Sequence, residues 1–442
     1  MRSHASSIAA TADSASSESA QDRRSLLAVT SQTPWPLDSG GHLRTYHLLR
    51  TLATRFDVRL VTSSRALDGT EREALERAGV QPRLVAVPPR TAVTEALKVV
   101  IAAAKREPYV MFARHRRHAI ARALREESRR QRPDVVYLDH LDSLAYARIQ
   151  PDVPLVVDMH NVYSSLAARS AAEAMDAIRR RYLKREAALI ARMEERAVQL
   201  ADTILAVSDD DARYFSERGA KRVVVVPNGV DCDAYDRLGD AVRTGPPTIL
   251  YVGSLAWPPN ASAARFLADD VLPAVRRHVP DVCLTIVGKD PARELLALAQ
   301  RDSHVHIAGH VPDVARYFRE AHVLAVPLEA GGGTRLKILE AFAAGLPVVG
   351  TPVGCEGIVA NDGTHFIVAE RSEFAAAITR LLLDPDHGRR LAERARHLAR
   401  ARYDWSVVGT LACDAIVGAA RQSRTSAHAL PGLAIHTSVT TR

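Results

Sequence analysis

The stretch "EAGGGTRLKILEAFAAGLPVVGT", residues 329–351, sets three glycines before a basic pair, then a short apolar helix, then Gly-Leu-Pro and a strand. Leu336, Leu339 and Phe342 or Ala343 share one face of a helix running roughly from Arg335 to Ala344. Gly345 supplies a stop, and Pro347 lies just beyond it. The charge order is the unusual feature. Arg335 and Lys337 occupy the first turn, where the helix dipole disfavours each cation by about 0.3–1 kcal/mol. An anion bound at that helix start would make the arrangement favourable.

Outward from this stretch the chain alternates apolar β-rich runs with helical ones. Before residue 228 the candidate strands are 25–30, 57–63, 83–87, 134–139, 154–159, 203–208 and 222–227. A loop-like segment, 228–247, precedes a second series at 248–253, 283–288, 305–309, 322–327, 346–351 and 365–369. Near-continuous β-branched runs suit strands buried on both faces, hence parallel sheets covered by helices. The expected fold class is therefore α/β, with two doubly wound Rossmann-like domains facing a central cleft. The expected boundaries are 25–240 and 241–405, with a helix at 406–421 crossing back to the first domain. Tails at 1–24 and 422–442 have no periodicity and are expected to be disordered; a transit peptide is the second reading of the first.

At 442 residues, 47% apolar and 25% charged, the chain accommodates two such domains and has a soluble globular composition. No apolar run reaches the length of a membrane-spanning helix; "ALKVVIAAAK" stops too soon. Cys232, Cys283, Cys355 and Cys413 form no C-x-x-C pair, which argues against a zinc site and for a reducing, cytoplasmic compartment. A net charge of +8 favours anionic partners, but no nucleic-acid motif accompanies it and nucleic acid is not expected. Residues 98–132 mix apolar side chains such as Val100, Ile101 and Phe112 with arginines such as Arg114, Arg117 and Arg125. That segment either lies on an anionic membrane at its inner face or is a solvated basic helix face.

Several polar residues fall at the carboxyl ends of expected strands, where ligands collect in such sheets. Ser39, Gly40 and Gly41 open a helix after the first strand, with Arg44 following. Glycines there let backbone amides approach a phosphate, or merely make a tight turn. No G-x-G-x-x-G is present, which counts against a dinucleotide oxidoreductase. His160 and Asn161 end the strand at 154–159, a position that serves either packing or the cleft. In the second half Gly253, Ser254, Trp257 and Asn260 follow one strand, Lys289 a second, and His310, Val311 and Asp313 a third. Trp257 reads as a core or rim aromatic, or as a stacking platform.

Together "PLDSGGHLRTYHLLRTLA", "DMHNVYSS", "VVVVPNGVD", "ILYVGSLAWPPNASAARFLADDVLPAV", "IAGHVPDVARYFREAHVLAVPL" and "GGGTRLKILEAFAAGLPVVGT" resemble the retaining glycosyltransferases of glycosyltransferase family 4, which have the GT-B fold. The matching pieces keep family order over roughly residues 25–410. The resemblance implies a nucleotide-diphosphate sugar donor held by the C-terminal domain and a glycan, lipid-linked or small-molecule acceptor held by the N-terminal one. It also implies no metal or other cofactor, and transfer with retention of configuration. By position, Ser39, Gly40, Gly41 and Arg44 match the loop near the diphosphate, and His160 the histidine facing the transferred sugar. Glu340 matches the glutamate that binds the donor ribose. Arg335 and Lys337, with Gly332, Gly333, Thr334 and Leu336, match the loop-to-helix start that meets the diphosphate. Gly253, Ser254, Asn260, Lys289, His310 and Val311 fall on the donor side of that plan.

Two positions depart from the family pattern. Gly332 stands where the first motif glutamate belongs, with Glu329 nearby at a different offset. Gly253-Ser254 replaces the usual Gly-Arg, so Arg335 and Lys337 are left to meet the diphosphate. The leaving β-phosphate gains negative charge as the C1–O bond breaks, and donors aimed there lower the barrier. No carboxylate pair suggests itself as general acid and base. Two alternatives remain at this point: a nucleotide-sugar epimerase of the same fold, and a non-catalytic nucleotide- or glycan-binding homologue.

Overall fold

The computed structural model describes residues 23–64, 69–87, 91–237, 243–330 and 335–428. The first domain is built on seven strands: β1 (Arg24–Val29), β2 (Phe56–Ser64), β3 (Gln81–Ala86), β4 (Val135–Asp139), β5 (Leu155–Met159), β6 (Thr203–Ala206) and β7 (Val223–Val225). The second has six: β8 (Thr248–Val252), β9 (Cys283–Val287), β10 (Val305–Gly309), β11 (Val323–Val326), β12 (Val348–Gly350) and β13 (Ile367–Val368). Strand orders are β3-β2-β1-β4-β5-β6-β7 and β10-β9-β8-β11-β12-β13, and every pairing is parallel. In each sheet the strand order reverses beside the first strand, so each has a switch-point crevice at the strand carboxyl ends. This is the GT-B architecture.

Helices cover both faces, as strands such as "LVVDM" require: all five of its residues are buried. The helices that matter for the site are α1 (Gly40–Leu52), α2 (Ala92–Lys105), α3 (Tyr163–Glu173), α4 (Ala177–Leu200), α5 (Pro258–Phe266), α6 (Leu336–Ala343) and α7 (Trp405–His428). The opening stretch forms α6, with Ile338, Leu339, Phe342 and Ala343 on its buried side. Gly345 ends it at φ 63°, its N–H bonding Phe342 O while Leu346 N–H reaches Ala341 O. Pro347 brings no N–H to the sheet, which helps explain why the strand begins at Val348.

Helix α7 leaves the second domain and packs on α1 of the first. The Trp405 ring stacks on His47 with centroids 5.0 Å apart, and Arg55 pairs with Asp414 at 2.6 Å. The tail differs from the expectation: helix continues to His428, carried by "QSRTSAH", which contains neither Gly nor Pro. Residues 1–22 and 429–442, and the expected domain boundary at 240–241, lie outside the described residues.

Candidate active site

The first turn of α1 and the first turn of α6 abut across the cleft. A Cβ placed on Gly40 would lie 2.6 Å from Leu336 Cδ1, so the two domains approach closely at that point. Ser39 caps α1 by accepting from His42 N–H at 3.4 Å. Two helix starts thus point their unpaired amides and positive dipole ends into one volume.

On the C-terminal side, Arg335 is the N-cap of α6, buried, with its guanidinium donating to Val353 O at 3.2 Å. Lys337 is half-exposed as a residue, yet its ammonium nitrogen is shut from solvent and has no hydrogen-bond partner among the described residues. It lies 4.7 Å from the centre of the Tyr251 ring and 3.0 Å from where a Cβ on Gly253 would sit. Burial, then repulsion from Arg335, pushes its pKa down to about 7, with Glu340 opposing the shift. Burial likewise pushes Glu340 up to about 7, against the pull of Lys337 and with help from Asp313. Both shifts share one cause: charges buried without a partner close enough to compensate.

Asn260 braces this wall. Its amide donates to Ser254 O at 2.9 Å and its oxygen accepts from the Tyr251 hydroxyl at 2.8 Å, so both ends are committed within the protein. It thereby holds the Gly253-Ser254 turn in place. Lys289 and His310 are exposed and Val311 half-buried, at the ends of β9 and β10, one and two strands from β8. Gly332, Gly333 and Thr334, expected around the diphosphate, lie outside the described residues. Glu329 pairs with Arg371 at 2.8 Å, which occupies the carboxylate nearest in sequence to the replaced motif position.

On the N-terminal side, His160 follows β5 and is buried, with Nε2 3.0 Å from Asp139 and 3.5 Å from Asp158. Its Nδ1 faces Gly41, 3.9 Å from where a Cβ there would sit. Burial opposes the imidazolium, but Asp139 and Asp158 outweigh it and raise His160 to about 9. At neutral pH the ring is a cation that presents a donor to the cleft and holds no free pair for a base.

Arg44 has a different task from the one its position suggested. Its guanidinium is 1% exposed and grips Asp158 through both arms, at 2.6 and 2.9 Å, while also donating to Val226 O and Pro227 O. It is thus turned into the sheet and not toward a diphosphate. Asp158 also accepts from the Tyr137 hydroxyl at 2.8 Å. Asp139, Asp158 and His160 bring ligand-type atoms within 4.8 Å of one another, but Arg44 and the imidazolium already balance the two carboxylates.

A cavity of about 520 Å3 adjoins His160. Gly41, Thr45, Asp139 and His140 form its polar side, and Val110 and Met111 its apolar side. A second cavity, about 720 Å3, lies between β2, β3 and residues 127–131, away from the cleft. Sequence reasoning missed Asp139, Asp158 and Tyr251. The signal was present for the acids: a carboxylate inside an apolar strand run is seldom buried without a partner.

The family model described as Glycosyltransferase Family 4 matches residues 38–234, and that described as Glycosyl transferases group 1 matches residues 246–384. With the fold, these matches give the chain the paired domains of the GT-B glycosyltransferases. Among relatives, the phosphatidyl-myo-inositol mannosyltransferase of Mycobacterium tuberculosis is 33% identical over 218 residues, 47% of this chain and 57% of that protein. The chain therefore spans little more than half the length of that curated relative. The glycogen synthase of the same organism is 29% identical over 435 residues, 92% of this chain and 97% of that one. Among solved structures, sucrose-phosphate synthase from Thermosynechococcus elongatus gives a TM-score of 0.64 at 17% identity, covering 92% of this chain and all (100%) of its own. Anabaena Alr3699/HepE in complex with UDP-glucose gives 0.59 at 17% identity, with coverage of 92% and 100%. None of these names is that of an epimerase or a non-catalytic binder.

Proposed function

We propose that the protein transfers a sugar from a nucleotide-diphosphate sugar to a hydroxyl of an acceptor, with retention of configuration. The observation that carries this reading is the Lys337 ammonium, buried without a partner at the helix start that meets the first turn of α1. A diphosphate there would receive Lys337, Arg335 and the free amides of two helix starts, all aimed where negative charge grows on the leaving group. Glu340, one turn further along α6, supplies an acceptor for ribose hydroxyls. His160, as a cation, donates to the sugar, and the 520 Å3 cavity beside it takes the acceptor.

Of the groups lining that cavity, Asp139 is engaged by His160 and Thr45, and His140 by the Tyr163 hydroxyl. The leaving phosphate itself then takes the acceptor proton on the face it departs from, which delivers the acceptor to that same face. No divalent metal is needed when two cations and two helix starts already meet the diphosphate. The relatives' names, a mannosyltransferase and a glycogen synthase, and the UDP-glucose bound by one neighbour support the reading by likeness.

The test is a screen of nucleotide sugars for thermal stabilisation, with and without EDTA, because a bound donor raises the melting temperature by mass action. At least one donor should stabilise the protein equally in both conditions and then turn over with an acceptor. His160→Ala should keep that stabilisation and lose transfer. Stabilisation by no nucleotide sugar, or an equal loss of binding and transfer in His160→Ala, would overturn the assignment.

A further inference from the structure

The Lys337 ammonium rests over the face of the Tyr251 ring, 4.7 Å from its centre. An aromatic face is negative and attracts a cation within about 6 Å, most strongly where water is excluded. Water is excluded here: the ammonium nitrogen is shut from solvent and Tyr251 is 0% exposed.

The ring is held at both ends. Its backbone belongs to β8, which lies between β9 and β11 in the sheet. Its hydroxyl donates to Asn260 Oδ1 at 2.8 Å, and the Asn260 amide donates to Ser254 O at 2.9 Å. The Gly253 N–H bonds Val287 O of β9 at 2.9 Å, so the turn after Tyr251 is tied to the neighbouring strand as well. Strand, turn and the start of α5 together fix the plane on which the ammonium sits. Gly253 keeps the adjoining side open, since a Cβ there would lie 3.0 Å from Lys337 Nζ.

A buried lysine is ordinarily paired with a carboxylate, which would compete with any incoming anion. A ring does not compete. It attracts the ammonium, leaves its charge uncancelled and offers no anionic oxygen to displace. The charged groups that act on Lys337 are Arg335, which repels it, and Glu340, which attracts it. From β8, Tyr251 itself stays neutral, because burial pushes its hydroxyl well above the ordinary value. Asn260, from the start of α5, is uncharged. As a core residue Tyr251 needs only to fill space, which a leucine would also do. As a partner for the ammonium it needs its π face, and the two roles separate experimentally.

We infer that Tyr251 is a positioning residue for the transfer: its ring face holds the Lys337 ammonium, charged and uncancelled, at the helix start where the donor diphosphate binds. This role rests on the transferase reading, which supplies the diphosphate.

The test is calorimetric binding of UDP, GDP, ADP, CDP and dTDP to the full chain, from about pH 5 to about pH 8. The native chain is compared with Tyr251→Leu and Tyr251→Phe, and the ratio of their affinities cancels the ligand's own ionisation. Losing the ring should lower the Lys337 pKa by about 1.5, from a desolvated cation–π contact. For Tyr251→Leu the loss of affinity should therefore grow from near none at about pH 5 to on the order of 30-fold at about pH 8. Tyr251→Phe keeps the face and loses only the tie to Asn260, so it should melt earlier and keep the native pH dependence. Phenylalanines fluorinated stepwise at position 251 keep the shape while draining the face of negative charge. They should move the pH dependence stepwise toward that of Tyr251→Leu, and they carry the test if the leucine variant does not fold. In a Lys337→Ala background, Tyr251→Leu should cost no further affinity.

A pH dependence unmoved by the fluorinated series, or a loss of affinity in Tyr251→Leu that is equal at every pH, would overturn this role and leave Tyr251 as core packing. So would a full effect of Tyr251→Leu in the Lys337→Ala background. Failure of the native chain to bind any of these nucleotides would overturn the transferase reading, and this role with it.

Discussion

Around His160 each buried charge faces an opposite one, with Arg44 on Asp158 at 2.6 Å and His160 on Asp139 at 3.0 Å. Across the cleft the Lys337 ammonium is equally shut from solvent, has no hydrogen-bond partner among the described residues and lies over the Tyr251 ring, while burial raises the Glu340 carboxyl one turn on. Burying a charge is costly unless it is paired. The N-terminal wall meets that cost from within the protein and is complete as it stands. The C-terminal wall leaves it unmet among the described residues. On the proposed reading, one wall is a pre-formed positioning device and the other a half-site that a diphosphate would complete.

The sharpest way to break this contrast is to remove a partner from each wall. Arg44→Ala leaves Asp158 fully buried and stripped of its bidentate partner, which should cost about 3–5 kcal/mol in denaturant unfolding. Replacing both, Arg44→Met with Asp158→Leu, should recover part of that loss, since two apolar groups leave no orphan charge. A small effect of Arg44→Ala would show that the cluster is not the internally balanced unit described.

Lys337→Ala should do the reverse. It removes an unpaired buried cation, so unfolding free energy should hold or rise. Transfer should nevertheless slow by about 2–4 kcal/mol in activation free energy, as for other groups that meet developing charge. A destabilised Lys337→Ala with normal transfer would reduce α6 to an ordinary scaffold helix.

The sequence showed the sheets well because each strand is a run such as "LVVDM" or "TILA", whose β-branched and apolar composition marks burial on two faces. It showed helix boundaries as well, because Gly40-Gly41 at a start and Gly345 with Pro347 at a stop are local turn chemistry. It did not show Arg44 in its true place. Whether a guanidinium at the second turn of α1 faces the cleft or the sheet depends on Asp158, 114 residues away. Nor did it show Tyr251 under Lys337, a contact across 86 residues that only the closed sheet creates. The continuation of α7 past residue 421 was hidden for the opposite reason, since Ser, Thr and His are weak helix formers that the helix end nonetheless carries.

The gentlest probe of the contrast is pH. Lys337 is pushed down to about 7 by burial first and Arg335 second, so the free protein loses this charge as pH rises through that value. A diphosphate beside the ammonium would favour its charged form and raise its pKa in the complex. Binding above pH 7 must then take up a proton, and affinity for a nucleoside diphosphate should fall about tenfold per pH unit, about 1.4 kcal/mol, until the pKa of the complex is reached. Glu340, raised to about 7, titrates in the same window, so the measurement belongs in a Glu340→Gln background as well as in the native chain. Calorimetry in buffers of different ionisation enthalpy reads the proton directly. His160 gives the internal contrast: its charge is held to about 9 by carboxylates already present, so His160→Gln should leave the proton uptake near pH 7 unchanged. An affinity flat in pH with no proton taken up would mean that Lys337 keeps its charge without the ligand, and that both walls of the cleft are complete before the donor binds.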